Sequence, residues 1–304
     1  MPQRTAFLFP GQGSQQPGMG AELLREPRFA ALADQCSGVL DLDLTYLLTD
    51  APEDELTLTQ HAQPALLFCG IALTTLLRER GVEPAAVAGH SAGEYGALVA
   101  AGALSVPDAM RAIGERGRAM AEAAPYGTSS MAAVLGLSAH QVNEALTGLE
   151  GVWPANFNTP TQTVVGGTVE GVEAATPKLL EAGARRVLPL KVAAAFHTPL
   201  MQPAAARLRR VLDSVCWSDP AVPVVANVTA DVYPDGASAP DLLERQLASP
   251  VRWGDCVLRL SALGCDCFLE VGPRRALSGM LRELLPGVPS SQVATPQAVA
   301  DCRA

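Results

Sequence analysis

The sequence predicts an α/β protein with a mostly parallel sheet and one inserted subdomain. Short apolar runs typical of buried strands alternate with helical patterns, which favours a parallel sheet. These runs are residues 5–9, 84–89, 222–228 and 267–271. Between residues 126 and 193 the order becomes strand, helix, strand, strand, helix, strand, as in a ferredoxin-like unit. We therefore predict a core formed by residues 1–125 and 194–304, a ferredoxin-like βαββαβ subdomain formed by residues 126–193, and a cleft between them.

The elements of the core follow from apolar spacing and from glycine. The first strand, residues 5–9, runs directly into the glycine-rich segment Pro10-Gly-Gln-Gly13. The helical patterns are residues 19–34, 61–80, 94–101 and 107–124. A sharp turn joins the strand at residues 84–89 to the third of these helices. Beyond Pro286 we predict one short strand and a frayed end.

The inserted unit shows the residue spacing of strands in some segments and that of helices in others. Its predicted strands are residues 131–137, 152–158, 161–166 and 186–192. Its predicted helices are residues 138–149, with Ser138 as N-cap, and 169–183. This order gives the βαββαβ unit.

Composition excludes several classes of protein. With 304 residues, of which 48% are hydrophobic and 17% charged, the chain can bury a large core. A net charge of −9 argues against nucleic acid or an anionic membrane as partner. The N-terminal apolar run is too short for a secretion signal, and the strongest run, residues 64–77, is shorter than the roughly 18–20 residues of a membrane span. The seven cysteines include no Cys-x-x-Cys spacing, so we expect reduced thiols, no metal site and a cytoplasmic protein.

Gly89-His-Ser-Ala-Gly93 matches the G-x-S-x-G pattern of a nucleophile elbow. In such an elbow, glycines allow a strained turn between a strand and a helix, which lifts the serine hydroxyl clear of the sheet. The predicted strand before the motif and the predicted helix after it supply that context. We therefore predict that Ser91 is a nucleophile; the alternative is a Gly-Ser turn without chemistry.

A serine hydroxyl needs a positioned base, and histidine is the usual one. Of the four histidines, His90 adjoins the serine in an extended segment, so its side chain should point elsewhere. His61 lies within a helical pattern, and His140 opens a helix of the inserted unit. His197 follows the point where the inserted unit rejoins the core, which places it at the predicted cleft. We predict His197 as the base; the alternative is a structural loop histidine.

Two backbone N–H groups are candidates for an oxyanion hole. Gln12 lies in the loop after the first strand, and Ala92 directly follows the nucleophile. Donors at these two positions can stabilise the negative charge of a tetrahedral intermediate.

Arg116 is the arginine of helix 107–124 that lies nearest to its apolar stripe. A buried guanidinium requires an anion, and its planar fork pairs well with a carboxylate. Spacing alone leaves open an internal salt bridge or a bound substrate.

Segments spread along the chain resemble the malonyl-CoA:acyl-carrier-protein transacylase family of fatty acid and polyketide synthesis. They are Phe9-Pro-Gly-Gln-Gly-Ser-Gln15, Gly89-His-Ser-Ala-Gly-Glu-Tyr95, Glu115-Arg-Gly-Arg-Ala-Met120, Asn156-Phe-Asn-Thr-Pro160, Phe196-His197, Arg245-Gln-Leu247 with Ser249-Pro-Val-Arg-Trp253, and Glu270-Val-Gly-Pro273. They follow the order of the family across nearly the whole chain. The resemblance implies an α/β-hydrolase-like core with a ferredoxin-like insertion.

The resemblance also implies roles for individual residues. Ser91 would be the acyl nucleophile, His197 its base, and Arg116 the group that binds the malonyl carboxylate. Gln246 would orient His197 through its backbone carbonyl. The oxyanion donors and the further substrate-binding residues would be Gln12, Ala92, Phe196, His90 and Met120.

The implied reaction is a ping-pong transfer from malonyl-CoA to the phosphopantetheine thiol of an acyl carrier protein. One thioester replaces another, so we expect no ATP, metal or redox cofactor. Phe196 resembles the malonyl-selective form of the family, whereas the small Ala92 leaves room for an α-branched acyl group. Methylmalonyl therefore stays an alternative donor.

Two other classes of function share these features. An acyl-thioester hydrolase would use Ser91 and His197 but would not need Arg116. A carrier-protein docking module without activity would not need an intact Ser91, His197 and Gln12. An acidic carrier protein should meet a local basic patch on this acidic chain. The candidates for that patch are Arg185, Arg186, Lys191, Arg207, Arg209 and Arg210.

Overall fold

The structure, a computed structural model, describes residues 3–123, 127–192 and 194–302. Its strands are β1 (Thr5–Phe9), β2 (Ala86–Gly89), β3 (Ser129–Leu135), β4 (Val152–Thr159), β5 (Gln162–Thr168), β6 (Arg186–Pro189), β7 (Val224–Val225), β8 (Cys267–Val271) and β9 (Ser290–Val293). Its α-helices are α1 (Pro27–Leu40), α2 (Leu44–Thr49), α3 (Glu53–Leu56), α4 (Thr59–Glu79), α5 (Gly93–Ala100), α6 (Val106–Ala123), α7 (Ala139–Leu146), α8 (Val169–Glu181), α9 (Gln202–Leu212), α10 (Ala239–Leu247), α11 (Trp253–Ala262), α12 (Ser278–Leu284) and α13 (Pro296–Asp301). Within the described residues, no helix is long and apolar enough to cross a bilayer.

The core sheet has the strand order β7-β2-β1-β8-β9, and each neighbouring pair is parallel. Helices cover both faces, which is why the central strand β1 is apolar at successive positions rather than alternating. Phe7 and Phe9 pack into the larger apolar cluster with helices α1, α4, α5 and α6. Ala6 and Leu8 pack on the opposite face, against α11 and α12.

The register of this sheet brings two loops together. Phe9, the last residue of β1, pairs with Gly89, the last residue of β2. Because the strands are parallel, the loops that follow them leave the same edge side by side. The glycine-rich loop after β1 therefore lies next to the turn that carries Ser91.

A second sheet has the antiparallel strand order β4-β5-β3-β6. Helices α7 and α8 pack on it through a separate apolar cluster that includes Val134, Val142, Val165 and Leu179. The chain order βαββαβ agrees with the predicted ferredoxin-like unit. Residues 124–126 and 193 lie outside the described residues, so the domain boundaries at 125/126 and 193/194 stay a prediction.

The second sheet is attached to the core next to the site. The Phe157 N–H donates to the Val251 carbonyl at 2.8 Å, and the Val251 N–H donates to the Ala155 carbonyl at 2.9 Å. These backbone bonds extend strand β4 onto the segment before α11. They fix one wall of the cleft between the two units.

Some elements differ from the prediction. Residues 19–34 do not form one helix: a 3-10 turn, Leu23–Arg25, precedes α1, which begins at Pro27 because proline suits the first turn of a helix and not its interior. The strand predicted at 222–228 is only Val224–Val225. The prediction of a frayed end was wrong up to Asp301, because helix α13 forms there. Thr295 caps this helix by accepting a hydrogen bond from the Ala298 N–H at 3.2 Å.

Candidate active site

Ser91 lies on a sharp turn between β2 and α5, in the left-handed region with φ of 54°. The glycines around it are required by close backbone contacts. A Cβ atom on Gly89 would lie 1.9 Å from the Gly93 carbonyl carbon, and one on Gly93 would lie 2.1 Å from the Phe9 carbonyl oxygen. The G-x-S-x-G pattern is therefore the one that this packing of strand, turn and helix permits.

The structure brings Ser91 and His197 together. Ser91 Oγ lies 2.7 Å from His197 Nε2, and His197 Nδ1 lies 2.8 Å from the Gln246 carbonyl oxygen. Because a carbonyl oxygen can only accept, the ring proton lies on Nδ1 and Nε2 is free to accept the serine proton. Burial, with the positive charge of Arg116, lowers the pKa of His197 to about 3. The imidazole is therefore neutral in the resting site.

Arg116 is fully buried, with 0% of its surface exposed, and points at the nucleophile. Its Nη2 donates to Ser91 Oγ at 3.0 Å and to Gln246 Oε1 at 2.9 Å, and its Nη1 donates to Gln63 Oε1 at 2.8 Å. All three acceptors are neutral. Within the described part of the chain, no carboxylate forms an ion pair with this guanidinium, so the internal salt bridge left open by the sequence is absent there.

Sequence reasoning missed three polar residues around Ser91. Asn227 accepts from the Ser91 N–H at 2.7 Å and donates to the Gly89 carbonyl at 2.7 Å, so it ties both sides of the elbow. Gln63 holds Arg116, and Glu94 is a fully buried carboxyl behind the site. Asn227 follows strand β7 at the edge where the elbow lies, and this placement could have identified it. Gln63 sits in an otherwise apolar helix, and only the fold shows what it faces.

A cavity of about 220 Å³ opens over Ser91 at the junction of the two sheets. Of the predicted site residues it is lined by Gln12, His90, Ser91, Met120, Phe196 and His197. The second sheet and the segment after it contribute Met131, Asn156, Asn158, Val164, Leu190, Lys191 and Val192. The His90 ring bonds Asn158 and not Ser91, as expected from its extended segment, with His90 Nε2 3.1 Å from Asn158 Oδ1, and His90 also lines the cavity.

Of the two proposed oxyanion donors, Ala92 is part of the elbow and Gln12 is on the loop that packs against it. A Cβ atom on Gly11 would lie 2.5 Å from the His90 carbonyl oxygen, so the loop that carries Gln12 packs directly on the elbow. Ala92 is the N-cap residue of α5, where backbone N–H groups lack partners within the helix. Its methyl group lines a separate small gap beside Phe9 and Leu66. The size of this side chain therefore does not widen the cavity over Ser91.

Two of the six candidate docking residues are already paired. Arg207 forms ion pairs with Glu115 and Glu122, and Arg209 forms ion pairs with Asp213, Asp241 and Glu244. The exposed members of the set are Arg185, Arg186, Lys191 and Arg210. Among the six, Lys191 lines the cavity.

Nucleophile, base and buried guanidinium on this α/β fold define an acyl-transferring serine enzyme, and comparison with known proteins agrees. Residues 6–296 match the acyl transferase domain family. The malonyl CoA-acyl carrier protein transacylase of Bacillus subtilis strain 168 is 44% identical, over 97% of this chain and 95% of its own. The solved malonyl-CoA:acyl carrier protein transacylase of Xanthomonas oryzae pv. oryzae is 41% identical, with a TM-score of 0.93 over 98% of this chain and 96% of its own.

A third match is a malonyl-transacylase, PlMCAT, solved in complex with AntF (holo), a type II PKS acyl-carrier protein. It is 37% identical, with a TM-score of 0.93, and the match covers 98% of each chain. The protein described here is thus an acyl transferase, and within that class it belongs to the malonyl CoA-acyl carrier protein transacylase family.

Proposed function

We propose that this protein transfers the malonyl group from malonyl-CoA to the phosphopantetheine thiol of an acyl carrier protein, through a malonyl ester of Ser91. The observation that carries the proposal is Arg116. It is fully buried, its donors meet only neutral oxygens, and its Nη2 lies 3.0 Å from the nucleophile. A buried cation that no carboxylate contacts directly, next to a reactive hydroxyl, is suited to an acyl group that brings its own carboxylate.

In the first half-reaction, Ser91 Oγ attacks the thioester carbonyl of malonyl-CoA and its proton passes to His197 Nε2. The backbone N–H groups of Gln12 and Ala92 stabilise the oxyanion of the tetrahedral intermediate. The carbon–sulfur bond then breaks, and His197 returns the proton to the departing CoA thiolate. The Gln246 carbonyl accepts from Nδ1–H throughout and thereby keeps the imidazole in its reactive tautomer.

The substrate carboxylate has a second effect, on the base. In the empty site burial, and after it the charge of Arg116, hold the pKa of His197 at about 3, which makes the imidazole a poor proton acceptor. A malonyl carboxylate on Arg116 neutralises that charge and raises the pKa of His197. Donors without a carboxylate leave the base weak, which favours malonyl over acetyl groups.

In the second half-reaction, the phosphopantetheine thiol gives its proton to His197 and attacks the Ser91 ester. Collapse of the intermediate restores the serine hydroxyl. We propose that no ATP, metal or redox cofactor takes part, because the thioester formed replaces the thioester consumed. We also propose a cytoplasmic location, which the seven free cysteines support.

Intact mass spectrometry tests this function. After mixing with malonyl-CoA, the protein should gain one malonyl group, which the Ser91→Ala variant does not gain and which holo carrier protein removes. Discharge to water as fast as to the carrier protein would instead identify an acyl-thioester hydrolase.

The same assay tests the donor. We expect Arg116→Ala to slow adduct formation from malonyl-CoA by about 100-fold and from acetyl-CoA far less, because only malonyl has a carboxylate to bind. Equal losses with both donors would contradict the role of Arg116. A wild-type adduct from methylmalonyl-CoA as fast as that from malonyl-CoA would show that the site accepts α-branched donors.

A further inference from the structure

Behind the nucleophile lies the carboxyl group of Glu94, which the mechanism above does not use. Glu94 is in the first turn of α5 and is 0% exposed. Its Oε2 accepts from Gln246 Nε2 at 2.7 Å and from the Asn227 N–H at 3.1 Å, and its Oε1 accepts from the Tyr233 hydroxyl. Burying a carboxyl group costs free energy that only such bonds offset. These contacts place Glu94 directly behind the residues that hold Ser91, His197 and Arg116.

Glu94, together with the Ser91 carbonyl and Arg116, fixes which way the Gln246 side chain faces. A carboxylate and a carbonyl can only accept hydrogen bonds, so the NH₂ group of Gln246 must face Glu94 Oε2 and the Ser91 carbonyl, which lies 3.1 Å away. Gln246 Oε1 is then left to accept from Arg116 Nη2 at 2.9 Å. The opposite amide orientation would place NH₂ against the guanidinium, donor against donor.

Gln246 also connects Glu94 to the base. Its backbone carbonyl accepts from His197 Nδ1, while its side chain is fixed by Glu94 at one end and by Arg116 at the other. The other residue bound to Glu94 Oε2, Asn227, accepts from the Ser91 N–H. Glu94 Oε2 therefore binds both Gln246, which orients His197, and Asn227, which holds the turn at Ser91.

The charged groups around Glu94 are consistent with the same role. The charged and titratable groups that act on Glu94 or feel its charge are Arg116 on α6, Tyr95 on α5, Tyr233 after β7 and Cys256 on α11. Of these, Arg116 is the cation. Glu94 is thus the negative charge near the buried guanidinium, but it does not bond to Arg116 directly: the Gln246 side chain lies between them, bonded to both.

We propose that Glu94 is a positioning residue for acyl transfer, which acts by holding the Gln246 side-chain amide with its oxygen toward Arg116 and its NH₂ group toward the elbow. The inference rests on the proposed function, because the arrangement matters for a carboxylated acyl group. Loss of Glu94 should therefore impair malonyl transfer more than acetyl transfer. A residue that only filled space would impair both equally.

The test compares the rates of acyl-enzyme formation from malonyl-CoA and from acetyl-CoA in folded variants. Glu94→Gln keeps the shape, removes the charge and replaces an acceptor-only group by an amide that can also turn its NH₂ group toward Gln246. Gln246→Leu keeps the backbone carbonyl for His197 and removes the amide. We expect each variant to lower the malonyl-to-acetyl rate ratio about tenfold, and the double variant to lower it no further, because the two residues act in series.

Glu270→Gln is the matched control, since Glu270 is also 0% exposed and hydrogen-bonded but serves the segment 276–278. It should lose stability and keep the ratio. Three results would overturn the inference. The malonyl-to-acetyl rate ratio stays unchanged in Glu94→Gln, it falls in the double variant by the product of the two single losses, or it falls in the Glu270→Gln control. If Glu94→Gln does not fold, Gln246→Leu decides in the same way. A wild-type protein that forms no malonyl adduct would instead overturn the proposed function.

Discussion

At the scale of single residues, Ser91 Oγ lies between a base and a cation. It is 2.7 Å from His197 Nε2 and 3.0 Å from Arg116 Nη2. Behind the base is a backbone carbonyl rather than a carboxylate, so the imidazolium gains less stabilisation than in a Ser-His-Asp triad. None of the three bonds that the Arg116 Nη groups donate goes to a carboxylate, and in the proposed reaction malonyl brings one, which would link activation of the base to the identity of the substrate.

Glu94 should also make stability depend on pH. Burial raises its pKa from an ordinary value near 4.5 to about 7. The folded state therefore binds this proton more tightly than the unfolded chain does. The resulting stabilisation is full below pH 4.5 and is lost as the pH rises through 7; by linkage it amounts to something on the order of 3 kcal/mol.

The measurement is the free energy of unfolding in denaturant, for wild type and for Glu94→Gln, at pH 4 and pH 8. The wild type should lose stability relative to the variant by about 3 kcal/mol between these values. The lowered pKa of His197 makes the free energy of unfolding rise with pH, which is the opposite trend. This contribution is present in both proteins and cancels in the difference between them. A difference that is the same at both pH values would contradict this expectation.

At the scale of elements, the site depends on parallel strands β1 and β2 ending at the same level. The register Phe9 to Gly89 places the loop after β1 against the elbow, and helix α5 leaves the elbow over the end of β1. Strand, turn and helix approach so closely that backbone atoms fill the space a side chain would need. The glycines of the motif are therefore part of the sheet packing as well as of the turn.

Gly93→Ala tests this packing. Its new Cβ atom would lie 2.1 Å from the Phe9 carbonyl oxygen, so backbone has to move. We expect a loss of about 3 kcal/mol or more of unfolding free energy, and no malonyl adduct on Ser91.

Gly38→Ala is the matched control for this substitution. It lies within helix α1, where a Cβ atom would meet nothing within 4 Å. It should gain about 0.5–1 kcal/mol of unfolding free energy, because alanine favours the helix. Similar effects of the two substitutions would refute the steric account of the elbow.

At the scale of the whole molecule, the active site lies at the junction of two separately packed units. The core supplies Ser91, His197 and Arg116, and the second sheet with the segment after it supplies a wall with Asn156, Asn158 and Lys191. This junction is where we expect the carrier-protein thiol to enter. The exposed cations on the second unit, Arg185, Arg186 and Lys191, are placed to meet an acidic carrier protein despite the net charge of −9.

Lys191→Glu should raise the apparent KM for the carrier protein by about fivefold at low salt, an effect that shrinks as salt increases. Arg80→Glu makes the same change of charge at the amino end of the sheet, away from the cavity. It should leave the KM for the carrier protein unchanged. Equal shifts in the two variants would show that net charge, and not this surface, governs the encounter.

The sequence by itself determined the α/β class, the βαββαβ order and the elbow at Ser91, because these depend on local periodicity and on glycine. It also brought forward His197, because the chain has only four histidines and this one follows the inserted unit, and Arg116, because it lies nearest the apolar stripe of its helix. Only the tertiary structure decided that Arg116 has neutral partners, that the Ala92 methyl group faces away from the cavity, and that Asn227, Gln63 and Glu94 support the site. Such contacts join residues that are far apart in the chain, where burial and hydrogen-bond geometry, and not local pattern, set the partners.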